Sequence, residues 1–379
     1  MNSKENQILI KRRSALKMLG LSSAAMLVGG FSDMVAAEPM LDKPKIRLPE
    51  IPGHSPVAFT TGTDRMQMIH DVIRPFDSEI RKGLRGKQLV IKPNMVVTNN
   101  ELCATPVDSL RALLEYMKPI YKGQIIIAES SATPNPSEGF KNYGYLDLAK
   151  DYNIRFLDLN TTPGKPLFIM NRDLHLEKIQ IADIFLDPSY YIITISRLKT
   201  HDTVVMTGAV KNILLGAPHN LPASGGNKPV NYKRSMHAAG SRWLHYNMYQ
   251  VAQHIKPDFS IIDGVEGMEG NGPVSGTAVD HRIALAGLDP ASVDSICCKL
   301  MDIPLSDVGY LNFMEAAGLG IIDRSKIDII GSANPDNHII KYKLHSNATN
   351  QLQWKDPLVL PGTNNRPAAT GQPSQPQRN

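Results

Sequence analysis

The sequence predicts an α/β fold, a mostly parallel or mixed sheet covered by helices on both faces, and two observations carry that expectation. Short apolar runs alternate with helical patterns along most of the chain. Several runs, such as Ile125-Ile126-Ile127 and Ile192-Ile193-Thr194-Ile195, are apolar throughout instead of alternating with polar residues, as suits strands covered on both sides. No repeat of fixed period interrupts the pattern, and a body spanning residues 38–360 is long enough for a large core and admits two lobes.

Residues 1–37 read as a processing segment. Lys11-Arg12-Arg13-Ser14-Ala15-Leu16-Lys17 sets an arginine pair before the apolar stretch 18–31, which falls short of the ~20 residues a spanning helix needs. Val35-Ala36-Ala37 has the small residues of a cleavage site. The expectation is a twin-arginine signal read by the Tat export machinery, a mature chain starting near Glu38, and a periplasmic or other extracytoplasmic location. No later stretch is apolar enough to anchor the mature chain in a bilayer.

After a proline-spaced lead, the helical pattern over 63–84 predicts one long helix, and 88–92 the first strand. Thr105-Pro106-Val107-Asp108 predicts a helix through 117, with Thr105 as N-cap, Pro106 in the first turn and Asp108 returning to the cap. Further strands are expected at 124–128, 154–157, 190–195, 259–262, 282–286 and 327–330, with helices at 241–255 and, after Asp289-Pro290, at 291–301. The stretch 222–229, with Gly225-Gly226, has the composition of a mobile flap, and 361–379 lacks apolar content and reads as a disordered tail.

The formal charge of +5 overstates the basicity of the mature body, because residues 1–37 carry five Lys or Arg against Glu5 and Asp33. No basic stripe is left to bind nucleic acid. Cys103 and the adjacent Cys297-Cys298 cannot supply the four thiolates of an iron–sulfur cluster or zinc site, and they read as core residues. No Gly-x-Ser-x-Gly elbow and no dinucleotide fingerprint is present.

Four polar clusters follow the carboxyl ends of predicted strands, where open α/β sheets bind ligands. Lys92-Pro93-Asn94 ends the first strand, with Asn94 on a stiff turn. A buried lysine there needs an anionic partner, either a ligand or the carboxylate of Glu129, which opens the Glu129-Ser130-Ser131 cluster. The densest group of catalytic donors is Lys199-Thr200-His201 with Gly208-Ala209-Val210-Lys211-Asn212. His201 can exchange a proton near neutral pH, while Lys199 and Lys211 can hold an anion or stabilise an oxyanion. The glycine-rich stretch 263–276, read as a loop, places Asp263 and Glu266 for a hard cation and Gly272 and Gly276 for backbone contact with an anion; a plain surface loop stays open beside both. His219, His237 and His245 lack zinc spacing and are taken as flap or helix residues.

In these clusters the chain resembles the domain-of-unknown-function family 362. The matching pieces are Ile91-Lys92-Pro93-Asn94-Met95-Val96, Thr105-Pro106, Leu198-Lys199-Thr200-His201, Thr207-Gly208-Ala209-Val210-Lys211-Asn212, Asp263-Gly264, Gly272-Pro273-Val274-Ser275-Gly276, Leu288-Asp289-Pro290 with Asp294, and Gly318-Leu319-Gly320. Many members carry a ferredoxin-like module with cysteine-rich motifs; this sequence has none, so no iron–sulfur cluster is expected. A fainter resemblance, confined to Lys199, His201 and Lys211, is to the lactate racemases, in which lysine and histidine hold a nickel-bearing nucleotide against a 2-hydroxy acid.

The reading that unites these clusters is an exported enzyme acting on a small anionic molecule, a carboxylate or phosphate. Lys92, Asn94, Asn212, Gly272 and Gly276 would bind it, His201, Lys199 and Lys211 would act on it, and Glu129, Asp263 and Glu266 would hold a divalent metal if one assists. The rival is a periplasmic carrier that binds a metal or anionic cofactor in the same pocket without turnover.

Overall fold

The computed structural model describes residues 53–133, 135–223, 228–237 and 240–358; the expected signal, the expected tail and the centre of the expected flap lie outside them. Among the described residues thirteen strands are formed: β1 (Ser55–Thr61), β2 (Gln88–Lys92), β3 (Ile125–Glu129), β4 (Ile154–Asp158), β5 (Gly164–Met170), β6 (Leu176–Ala182), β7 (Tyr190–Thr200), β8 (Met206–Thr207), β9 (Asn220–Leu221), β10 (Val230–Asn231), β11 (Phe259–Asn271), β12 (Ser275–Gly287) and β13 (Ile327–Ile330). One nine-stranded sheet runs in the order β13-β1-β12-β11-β7-β2-β3-β4, with β8 paired to β7. Along that path every strand runs in one direction except β12, which is antiparallel to both neighbours. The expected mixed, mostly parallel sheet is therefore present.

Its apolar strands feed two cores because successive side chains point to opposite faces. Leu89, Ile91, Ile125, Ile127, Ile193 and Ile261 lie in one core, and Val90, Ile126, Ile192 and Ile262 in the other. The first face is covered by α1 (Arg65–Ile73), α2 (Asp77–Gly83), α3 (Val107–Met117) and α4 (Pro136–Asn142). The second is covered by α5 (Ala209–Gly216), α6 (Tyr232–His237), α7 (Ser241–Ala252), α8 (Pro290–Leu300) and α9 (Gly309–Ala316). Asp289 caps α8 as its position before Pro290 implies, accepting from the Ala291 N–H at 3.0 Å.

Four expectations are corrected. The helix expected over 63–84 is two helices, broken by a 3-10 turn at Arg74–Phe76, because Pro75 has no N–H to continue the ladder. Thr105 does not cap α3: its Oγ1 donates to the Ile195 carbonyl at 2.7 Å and accepts from Asn94 N–H at 2.9 Å, clamping the ends of β2 and β7 together. β7 runs on past Ile195 to Thr200, so Lys199 sits in a strand and not in a loop. The stretch 263–276 is likewise a hairpin, in which β11 and β12 pair from Ser260↔Gly287 to Asn271↔Ser275 and turn at the cis Gly272-Pro273 bond. Glycine is a weak strand former, but the long ladder to β12 and the pairing with β7 override that preference.

Candidate functional site

The site is built around α5. The N–H groups of Ala209 and Val210 donate to Asp294 of α8 at 2.6 and 3.1 Å, which fixes the start of the helix. Burial pushes the Asp294 carboxyl up to about 7, against the pull of those two donors. Val210, Ile213 and Leu214 enter the core, and the face bearing Lys211, Asn212, Leu215 and Gly216 lines a cavity of ≈ 190 Å³. Gly216 is required there: a β-carbon on it would lie 2.0 Å from Cε of Lys92, which crosses the helix at that point.

Six of the residues expected from sequence share this cavity: Lys92, Asn94, Glu129, His201, Lys211 and Asn212. Lys92 and Glu129 are 1% and 2% exposed and form the buried pair that the strand end required. Lys92 Nζ reaches both Glu129 oxygens at 2.9 Å, the Pro93 carbonyl at 2.9 Å and Asn212 Oδ1 at 3.0 Å. Burial draws the ammonium below its ordinary value, and Glu129 opposes that shift. Asn212 Oδ1 also accepts from Asn94 Nδ2 at 3.1 Å, which orients the Asn94 amide and leaves its buried Oδ1 without a partner among the described residues.

The two cavity histidines are held in opposite tautomers. His201 Nδ1 accepts from the N–H groups of Thr203 at 3.0 Å and Val204 at 3.4 Å, so the hydrogen resides on Nε2. Asp202 Oδ1 also lies 3.0 Å from that Nδ1, but with two backbone donors already on the nitrogen this contact is not an ion pair. Burial, with help from Lys211, keeps His201 neutral well below its ordinary value. His237 Nδ1 instead donates to the Lys233 carbonyl at 2.7 Å, so its Nε2 is an acceptor, without a partner among the described residues, and burial lowers this imidazole too. The ring centroids are 6.4 Å apart, placing one N–H donor and one ring acceptor on the same cavity.

Its cations are incompletely answered. Lys233 Nζ donates to Ser130 Oγ at 2.8 Å and the Leu215 carbonyl at 2.6 Å, with no carboxylate in contact among the described residues, and burial brings it down to about 7. Lys211, 6% exposed, makes no hydrogen bond or ion pair among the described residues, and burial lowers it to about 8.

Lys233 and His237 were missed in the sequence. Their spacing of four places them on one face of α6, a signal present in Lys233-Arg234-Ser235-Met236-His237, but nothing local shows that α6 folds back over the end of β3.

Five expected residues lie elsewhere. Because β7 continues, pleat alternation puts Lys199 on the same face as Arg197, and its Nζ closes on the Cys103 carbonyl at 2.7 Å. Burial lowers it to about 7, but it does not line the cavity. Asp263 accepts from Arg65 Nε at 2.9 Å, from Ser109 Oγ and from Val265 N–H at 2.9 Å. Glu266 pairs with Arg197 at 2.7 Å. Gly272 and Gly276 are packing positions, where a β-carbon would come within 2.3 Å of the Thr200 and Glu269 carbonyls respectively. Among the described residues no three His, Cys, Asp or Glu side chains converge, so Glu129, Asp263 and Glu266 form no common metal centre.

Over residues 89–299 the chain matches the family described as a domain of unknown function, DUF362. A thylakoid-associated protein of Synechocystis sp. is 23% identical over 240 residues, covering 62% of this chain and 69% of that protein. A crystal structure of a Thermotoga maritima protein is 11% identical with a TM-score of 0.37, covering 69% of this chain and 60% of that one. The lactate racemase apoprotein of Thermoanaerobacterium thermosaccharolyticum is 14% identical with a TM-score of 0.37, covering 67% of this chain and 58% of that one. Likenesses at that level carry no chemistry across. The family match spans more than half of the sequence and agrees with the motifs that surround the cavity: the chain belongs to the DUF362 family.

Proposed function

We propose that the protein is an enzyme that binds a small carboxylate or phosphate in the Lys211 cavity and transfers a proton on it. The observation that carries this reading is the pairing of an unanswered ammonium with two neutral imidazoles, one presenting Nε2–H and the other a bare Nε2. An anion entering between Lys211 and Lys233 would offset the desolvation that depresses both amines, so binding and protonation reinforce each other. The bare Nε2 of His237 then accepts a proton while His201 holds the developing charge by hydrogen bonding. Glu129 spends both oxygens on Lys92, so the proposed proton transfer is carried by the two imidazoles.

Calorimetric titration with phosphate, malonate and glycolate tests the binding half. At least one should bind to the intact protein, and Lys211→Met should weaken it about tenfold or more. Incubating a bound carboxylate in deuterium oxide tests the chemistry: exchange into its C–H bonds, lost in His237→Ala with binding retained, marks an enzyme. Binding without exchange or turnover would make the protein a carrier, and no binding of any small anion would sink both readings. The arginine pair supports an extracytoplasmic location for this activity, and Arg12→Lys with Arg13→Lys should retain the full chain in the cytoplasm on cell fractionation.

A further inference from the structure

We propose that Lys211 is an imine-forming amine and that the cavity takes small carbonyl compounds bearing an anionic group, such as 2-oxo acids. The inference rests on the anion-binding reading and names its substrate class. Among the described residues four lysines are buried, and their surroundings separate them. Lys92 is held by Glu129 and Asn212, Lys199 is closed on Cys103 away from the cavity, and Lys233 donates to Ser130 and Leu215. Lys211 alone of the four has no partner among the described residues, and it faces the cavity. A lysine becomes nucleophilic where desolvation favours its free base, and burial, aided by the charge of Lys92, outweighs the opposing pull of Asp202 on Lys211.

The cavity also supplies the proton traffic. From the ammonium, His237 Nε2 takes one proton, and the freed lone pair forms the C–N bond as the carbonyl π pair moves onto oxygen. One proton left on nitrogen passes to that oxygen. The proton held by His237 joins the resulting hydroxyl, which leaves as water with the C–O pair while the nitrogen lone pair closes the C=N bond. Ammonium and carbonyl thus give iminium and water, with no change of oxidation state. His201 Nε2–H is available to polarise the carbonyl oxygen, and Lys233 to hold the carboxylate. The iminium in turn acidifies the adjacent C–H, the proton on which the proposed exchange acts.

The test is reductive trapping of the full chain with cyanoborohydride and glyoxylate or pyruvate, followed by intact mass measurement and peptide mapping. The expected result is one adduct per chain, on Lys211, labelled on the order of tenfold faster than surface lysines because its free-base fraction near neutral pH is far larger. Lys211→Arg, which keeps the cation, should lose the adduct. Adducts spread over surface lysines without preference for Lys211, or unchanged labelling in Lys211→Arg, overturn the proposal. If phosphate still binds the same preparation while no Lys211 adduct forms, the imine fails and the anion site stands. If neither occurs, both fail together.

Discussion

Two polar clusters occupy the same end of the sheet, and they differ in whether their charges are answered. Around Asp263, every charged group has a partner: Arg65, Ser109 and the Val265 N–H meet the carboxylate, and Arg197 is shared among Glu266 and two backbone carbonyls. Around Lys211, among the described residues, one ammonium has no partner, a second has no carboxylate, and Asn94 Oδ1 is unsatisfied. In sequence the Asp263 stretch is the richer motif, with its glycines and three carboxylates. The difference teaches that density of polar residues and uncompensated buried charge are separate properties, and the proposed site rests on the second.

The sharpest way to break this contrast is at the one saturated pair inside the cavity. Glu129→Ala would strand the buried Lys92 and should cost about 3–5 kcal/mol in urea unfolding; a loss below ~1 kcal/mol would mean that the pair is not formed. Asp263→Asn should cost about 1–3 kcal/mol, because it weakens three bonds to a buried carboxylate, while phosphate affinity stays unchanged. If affinity falls with it, the two clusters are one site. Lys211→Met should behave in the opposite manner. Anion affinity drops about tenfold, near 1.4 kcal/mol, while stability is equal or higher, since an unanswered buried charge is removed. Lower stability in that variant would show that Lys211 serves the fold.

The pH dependence tests the buried amines directly. Burial holds Lys199 near about 7, Lys211 near about 8 and Lys233 near about 7, all below the lysine value in an unfolded chain. Between those values and ~10.4 the unfolded state binds more protons at each lysine, so these amines raise stability with pH, while the buried thiols of Cys297 and Cys298, held protonated by burial, oppose that rise once pH passes the free thiol value. Urea midpoints measured from pH ~7 to ~9.5 should increase, and less steeply in Lys211→Met. A flat or falling profile in the native chain would mean that these amines stay charged in the fold.

How far the site was legible follows the reach of local rules. Lys92, Glu129, His201 and Lys211 were found because each stands at or just past the end of an apolar strand, or at the start of a helix after glycine. Lys199 was misplaced because polar residues after Ile195 signal a loop locally, whereas pairing with β11 and β8 keeps the strand going and the pleat turns the side chain away. Lys233 and His237 were missed because a six-residue helix has little periodicity to read, and its position depends on the Lys233 bond to Ser130 and the Leu215 carbonyl.

By itself the sequence determined the α/β class, the strands buried on both faces, the presence of helices after Thr105-Pro106 and after Asp289, and the edge of the sheet where polar side chains gather. Those properties depend on periodicity and on residues within a few positions of one another. Only the tertiary structure decided which charges are paired, which tautomer each imidazole adopts, and that the hairpin at Asp263 and the cavity at Lys211 are separate. The pairings and the separation of the two clusters depend on atoms brought within about 3 Å by chain segments distant in sequence, and the tautomers on backbone groups two to four residues away whose direction the folded turn and helix set.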